Sequence, residues 1–441
     1  MKSYLKFILL FIISGIYLKG MQAQTWSALG SGLEYPPYTF TVYNGNLYTG
    51  SDGVYKWDGS NWIGMNEGLS SLLGGGTIYA LAVSNGGTLY CGGAGFFVLT
   101  PDQNLYNYAG RWNGSKWTTV GNGTGNDGWG MDEFVSVMTS YNGQLIAGGN
   151  FGSAGGDPLY PQDVYYIAGF AGTSCCWSPL GSGMNDWVRE LVVDTINGVL
   201  YAAGYFTQAG GVSANHIAKW DGNTWSALGT GTDDKITALC IHNGELYAGG
   251  LFTTAGDNPA LNVAKWNGST WSALGPGLEG QVYDLISYNG NLYAGGEGFW
   301  FGDQNYYIAK WNGNSWSVSG LEVDDYVNKF YVFNDELYVG GAFLNAGVIP
   351  ANHVAKFSDG TGVPTKTLNK TIKIYPNPTC GKFTIENKGE LIISNLLGKE
   401  ILSQKLTSPK SEIDLSNQSK GIYFVKVCDN GIIYSAKIII Q

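Results

Sequence analysis

The stretch "LYAGGLFTTAGDNPALNVAKWNGSTWSALG", Leu246–Gly275, decides the fold. It is nearly free of charge, rich in Gly and aromatics, and punctuated by Asn-Gly. Leu200–Gly229 reads "LYAAGYFTQAGGVSANHIAKWDGNTWSALG", the same pattern with changes of detail. Self-similarity at this length sets the architecture before any other signal. The Tyr of the "LY" step recurs at Tyr48, Tyr90, Tyr201, Tyr247, Tyr293 and Tyr338, and Ile146 stands in its place once. An aromatic follows at Trp57, Trp112, Phe170, Trp220, Trp266, Trp311 and Phe357. A third mark falls at Trp26, Trp62, Trp117, Trp177, Trp225, Trp271 and Trp316, so each mark occurs seven times.

Four short strands fit one period. "ITALCI", Ile236–Ile241, is apolar on both faces apart from one Thr, as a strand covered on both sides is. Asn243-Gly244 supplies the positive-φ pair that a tight hairpin requires. "ELYAGGLF" reads as the second strand, its Gly pair suited to close backbone packing. After a variable loop, "NVAKW" is the third strand and "TWSALG" the fourth, joined by a turn at Asn267-Gly268. Trp266 and Trp271 are expected to face each other across that turn. Four antiparallel strands per period of roughly 45 residues predict the blade of a β-propeller.

The repeat region opens at Thr25 with a lone fourth strand and closes at Phe357 with a third strand and no fourth. The first strand is therefore expected to complete the last blade, which removes two open sheet edges. The expected fold class is all-β. A seven-bladed propeller of four-stranded blades, closed by the N-terminal strand, spans residues 24–362, and a small Ig-like β-sandwich follows. The Gly pairs Gly249-Gly250, Gly295-Gly296 and Gly340-Gly341, with the downstream Trp, resemble the kelch-like and galactose-oxidase-like propellers. The "GGxF…AKW(N/D)G…W" pattern is also similar to the propeller repeats of fungal cell-polarity marker proteins. This resemblance covers about residues 25 to 362 and implies a fold, not an activity.

Residues 1–23 read as a secretory signal peptide, with Lys2 and Lys6 ahead of "FILLFIISGIY", an apolar core too short to span a bilayer. No other apolar run approaches a membrane span. Composition changes near Gly362: a polar linker at 363–371 leads to a tail without Trp, richer in Ile and Lys. "KFTIE", "IYFVKV" and "SAKIII" predict short strands at 372–441. Tyr375-Pro376-Asn377-Pro378, Gly398 in "LGK", Gly421 and Tyr423 in "KGIY", and Lys437 in the terminal strand follow in an order that resembles the type A C-terminal sorting domain of the type IX secretion system of Bacteroidota. That resemblance implies export to the cell surface or medium, with the type IX machinery as partner. From position 364 on, 11 Lys stand against 6 acids; residues 24–363 carry 10 basic and 28 acidic residues. An acidic body argues against nucleic acid and anionic membranes as partners.

Catalytic signatures are absent. The three His do not cluster, no Cys/His set has zinc spacing, and no G-x-S-x-G elbow occurs. His216 and His353 fill a slot that takes Asn262 and Tyr307 elsewhere, a polar loop end before a strand; His242, beside a hairpin, reads as exposed. Cys91 and Cys240 read as small apolar strand residues, and pairing of Cys380 with Cys428 is open. The inter-blade loops are acidic: Asp233 and Asp234, then Glu279, then Asp324 and Asp325, with Trp187 as an aromatic platform on an earlier loop. These residues are expected to ring the mouth of the central channel, where carboxylates and flat aromatics suit sugars and converging oxygens suit calcium. Crowded carboxylates are expected to raise one another's pKa. The longest departures from the repeat place Tyr106 and Tyr160 on neighbouring blades as a further candidate site. The sequence favours a binding or adhesion module for a glycan or protein, with a secreted glycan-active lyase or hydrolase as the alternative; no cofactor is evident apart from calcium as a candidate.

Overall fold

Every strand expected in the Leu246–Gly275 period forms. Ile236–His242, Glu245–Gly250, Val263–Trp266 and Trp271–Ala273 pair in that order as one antiparallel sheet. The structure, a computed structural model, describes residues 25–71, 76–99, 105–120, 130–157, 160–172, 177–358, 370–395, 400–429 and 432–440. The expected signal peptide, most of the expected linker and Gly398 lie outside these residues. Among the described residues the four-strand order recurs in seven sheets, one of them with a fifth strand, Leu69–Ser71. The blades are numbered here by their innermost strands: Thr39–Tyr43, Thr77–Val83, Val135–Tyr141, Val188–Asp194, Ile236–His242, Val282–Tyr288 and Val327–Phe333. These strands touch in cyclic order, and blade 7 touches blade 1. The N-terminal strand Thr25–Ala28 pairs with Val354–Ser358 and completes blade 7. There Trp26 meets Phe357 edge-on at 5.3 Å.

The repeated aromatics make each blade's outer half. Trp266 and Trp271 are register partners with ring centroids 5.4 Å apart, and Trp220–Trp225 and Trp311–Trp316 repeat the pair at 5.2 and 5.4 Å. The second Trp also ties blade to blade. The indoles of Trp117, Trp225, Trp271 and Trp316 donate to the carbonyls of Met65, Leu180, Leu228 and Leu274 in the preceding blade. The indole N–H groups of Trp26, Trp62 and Trp177 are buried and meet no acceptor. The Gly pair serves the same packing: a Cβ on Gly249 would overlap Val282 of blade 6, and one on Gly250 the Lys235 carbonyl. Between blades lie apolar layers such as Leu239, Leu246, Phe252 and Trp271.

Two details differ from the sequence reading. His242 is 5% exposed rather than solvated, because its strand faces blade 6, where its Nδ1 lies 2.8 Å from the Ser287 hydroxyl. The His216, Asn262 and His353 slot is defined by backbone: these residues take φ of 64, 60 and 74°, as do Tyr108 and Tyr166 at 70°. Cys91, Cys240 and Cys380 are free thiols, the first two buried.

The C-terminal unit packs a five-stranded sheet, built around Gly421–Asp429 and Ile432–Ile440, with a three-stranded sheet of Lys373–Tyr375, Lys382–Glu386 and Ser411–Asp414. Phe383, Ile385, Leu391, Ile393, Val425 and Ile438 are among its core side chains. Asn377 clamps the Tyr375–Pro378 turn onto the last strand: its Nδ2 donates to the Lys437 carbonyl at 2.7 Å, and its Oδ1 accepts the Ile439 N–H at 3.0 Å. The Tyr423 hydroxyl donates to the Ser419 carbonyl at 2.7 Å.

Candidate functional site

The innermost strands of blades 2 to 7 share one irregularity. Their register shifts near the strand start, between Ile78/Ala80, Val135/Val137, Val188/Glu190, Ile236/Ala238, Val282/Asp284 and Val327/Lys329. A bulge inserts one residue and re-aims its side chain. The residues at the shift are Tyr79, Ser136, Arg189, Thr237, Tyr283 and Asn328, and all six line a cavity of about 700 Å³ at the centre of the propeller. Tyr38, Phe134, Trp187 and Tyr326 just before the innermost strands, Tyr205 just after the second strand of blade 4, and Glu297 within the strand Asn291–Phe301 complete the wall.

Aromatic contacts organise this wall. Trp187 stacks on Tyr205 with centroids 5.0 Å apart and planes 9° from parallel. Phe134 meets Trp187 edge-on at 4.9 Å, and the indole N–H donates to the Ser136 hydroxyl at 2.5 Å. The Arg189 guanidinium lies 4.8 Å from the Trp187 centroid, and the Lys235 ammonium 5.1 Å from that of Tyr205. On the other arc Tyr283 meets Tyr326, and Tyr38 meets Tyr79, both edge-on. Burial, then the Glu297 carboxylate that its hydroxyl contacts at 3.3 Å, pushes Tyr283 up to about 12.

Deeper in the channel one cation holds two carboxylates. Lys329 Nζ of blade 7 lies 3.1 Å from Glu190 of blade 4 and 3.0 Å from Asp284 of blade 6. Asp284, only 3% exposed, also accepts the Phe330 N–H at 2.7 Å. Burial pushes its pKa up to about 6, against the pull of Lys329 and with the repulsion of Glu190. Burial works against the Lys329 ammonium, but the two carboxylates hold its pKa above the usual range.

The acidic loops behave otherwise than expected. Asp233 accepts the Thr253 and Thr254 N–H groups, both at 2.8 Å, and Asp324 those of Leu344 and Asn345 at 2.8 and 2.9 Å. Each carboxylate thus staples its own blade's second-to-third-strand loop, as the Asn185 amide does at Thr207 and Gln208. Partial burial opposes ionisation, but these hydrogen bonds leave Asp233 and Asp324 below the usual carboxylate range, opposite to the mutual raising expected of them. Asp234 and Asp325 accept the N–H of the next residue, Lys235 and Tyr326. Glu279 is exposed. Among the described residues no group of three or more His, Cys, Asp or Glu is placed to hold a metal ion. Of the expected ligand contacts whose side chains are described, only Trp187 lines the cavity. Tyr106 and Tyr160 lie in the strands Leu105–Trp112 and Tyr160–Asp163, and their side chains are outside the described set. The missed signal is charge within an apolar strand: "VRELVVD", "VYDLISY" and "VNKFYVF" carry Arg189, Glu190, Asp284 and Lys329 where blade 5 reads "ITALCIH".

Residues 373–441 match the secretion system C-terminal sorting domain family, and residues 172–334 match the Rax2 C-terminal beta propeller domain family. The tail therefore marks the chain as cargo of the type IX secretion machinery, bound for the cell surface or beyond it. Solved structures with a related fold include PorZ, a surface component of the type IX secretion system of Porphyromonas gingivalis, at 16% identity and a TM-score of 0.47 over 94% of this chain and 60% of that one. The extracellular domain of the two-component system BT4673 from B. thetaiotaomicron aligns at 13% identity and 0.48, over 95% and 58%. The WD40 propeller domain of Doa1 aligns at 15% and 0.44, over 76% and 96%. The chain spans about 60% of the length of the first two. No curated protein sequence matches it. Among the described residues no helix is long and apolar enough to cross a membrane.

Proposed function

We propose that the propeller is an exported binding module that takes a saccharide into the mouth of its central channel. The observation that carries this reading is the composition of the cavity wall. Its aromatic faces and edges come from six blades, and amide and hydroxyl groups of Gln281, Asn328, Ser136 and Thr237 stand among them. Sugars offer apolar C–H faces and closely spaced hydroxyls, so they need flat apolar contacts and a few fixed polar groups together. Asp234 and Asp325 immediately precede the wall residues Lys235 and Tyr326, and Glu279 lies on the loop between; these three are proposed as rim contacts. A glycosidase would need two carboxylates free to act across the ligand. The two that line the cavity are engaged, Glu190 by Lys329 and Glu297 by Tyr283, which favours binding over hydrolysis. An N-terminal signal peptide supplies the first export step in this scheme. The test is a glycan array probed with the full chain and with Trp187→Ala. Saccharide binding that falls at least tenfold in the variant supports the assignment; equal binding by both proteins places the ligand elsewhere.

A further inference from the structure

We infer that the ligand of this cavity is an acidic oligosaccharide, its carboxylate or sulfate groups met by Arg189 and Lys235. The inference rests on the saccharide reading above and adds the charge of the sugar. It starts from the ion pairs. Lys329 is held by two carboxylates, and the other lysines in ion pairs, such as Lys265 with Glu245 and Lys356 with Glu336, lie away from the cavity wall. Among the described residues, Arg189 and Lys235 have no carboxylate within ion-pair distance. Both line the cavity of a propeller in which acids outnumber basic residues 28 to 10. Of the three cations on the cavity wall only Lys329 is ion-paired, which leaves Arg189 and Lys235 to meet a ligand charge.

Their placement is fixed by the aromatic stack. Arg189 lies over Trp187, Trp187 lies on Tyr205, and Lys235 lies over Tyr205. Contact with an aromatic face holds a cation in place while leaving its N–H donors free. Guanidinium then offers a fork matched to a carboxylate or sulfate, and the ammonium a compact point charge. Two rings separate the cations, so each meets its own anionic group. The ligand therefore carries charge on more than one unit, as a uronate or sulfated polymer does, and a monosaccharide acid engages only one of the two.

The experiment is calorimetric titration of the full chain at low and at physiological salt. The probes are oligogalacturonate, a sulfated galactan oligomer and a neutral cello-oligosaccharide. The expected result is tighter binding of one charged probe than of the neutral one, weakened by salt. Arg189→Gln and Lys235→Gln are each expected to lose about tenfold in affinity for that probe and little for the neutral one. Unchanged melting temperatures show that the variants fold, and Arg189→Lys separates charge from fork geometry. The charged probe that binds identifies the anionic group. Equal affinity for charged and neutral probes, or full affinity in both Gln variants, overturns the inference and leaves the saccharide site standing. Binding of none of the three overturns both.

Discussion

Lys329→Met is expected to be among the most damaging single changes in the propeller. The substitution keeps the length of the side chain and removes the only cation among the described residues that touches Asp284 and Glu190, whose side chains are 4% and 14% exposed. Two carboxylates are then left facing each other in the channel without compensation. Removing one partner of a buried pair costs about 3–5 kcal/mol, because the remaining charge stays desolvated. Asp284 already titrates near 6 with Lys329 in place, about two units above its ordinary value. The sign follows. A group whose pKa is raised by folding favours the fold at low pH, and that contribution is lost as pH rises through about 6. The cost of Lys329→Met should therefore be largest at pH 7.5 and shrink at pH 5, where Asp284 takes up a proton. Urea unfolding followed by Trp fluorescence at the two pH values measures both effects. The triple variant Glu190→Gln, Asp284→Asn, Lys329→Met should recover most of the loss. A loss below about 1 kcal/mol at pH 7.5, or one independent of pH, would refute the coupling described for these three groups.

Three further outcomes follow from the structure. Deletion of Thr25–Gly30 removes Leu29, which is 2% exposed, and half-buried Trp26 from blade 7. At about 1.5–3 kcal/mol per large buried side chain it should cost at least about 3 kcal/mol and promote association; an unchanged melt and elution profile would contradict closure by this strand. Asp324→Ala frees the Leu344 and Asn345 N–H groups and should cost about 1–2 kcal/mol, like a lost helix cap. Because the Asp324 pKa is lowered by folding, its contribution holds above about 4 and disappears as pH falls further, so an acid titration in which the variant and the native protein keep a constant difference down to pH 2 counts against the staple. A chain ending at Gly362 should melt like the full propeller yet accumulate in the periplasm, and its appearance in the medium at native levels, read by fractionation and immunoblot, would remove the sorting role of residues 373–441.

The blade was legible because its determinants are local. Asn243-Gly244 sits inside a single hairpin, with φ of 52 and 79°, and Trp266 with Trp271 spans one turn. The site was not, because Arg189, Tyr283 and Lys329 come from three innermost strands far apart in sequence, and only ring closure brings them together. The bulge that turns Arg189 and Tyr283 inward leaves no residue signature, since its position is filled by Tyr79, Ser136, Arg189, Thr237, Tyr283 and Asn328 alike. The acidic loops were ambiguous for a different reason. An Asp ahead of an innermost strand is as well suited to hold its blade's loop backbone as to meet a ligand, and Asp233 and Asp324 hold that backbone.

The indole bonds between blades also set where the ring gives way. Four neighbouring pairs are latched by a Trp donating to the blade before it, whereas the indoles of Trp26, Trp62 and Trp177 meet no acceptor, and two of these three lie in blades 7 and 1, where the ends of the ring meet. A buried donor left unmade costs about 1–3 kcal/mol, so the circle is softened around the joint where its two ends meet, as it is at Trp177 of blade 3. Thermal breathing is then directional. The first strand should peel before the latched blades separate, and amide exchange in Trp26–Leu29 should outpace that of the equivalent residues Trp225–Leu228. The molecule behaves as a clasped band, with its clasp as the designated point of release.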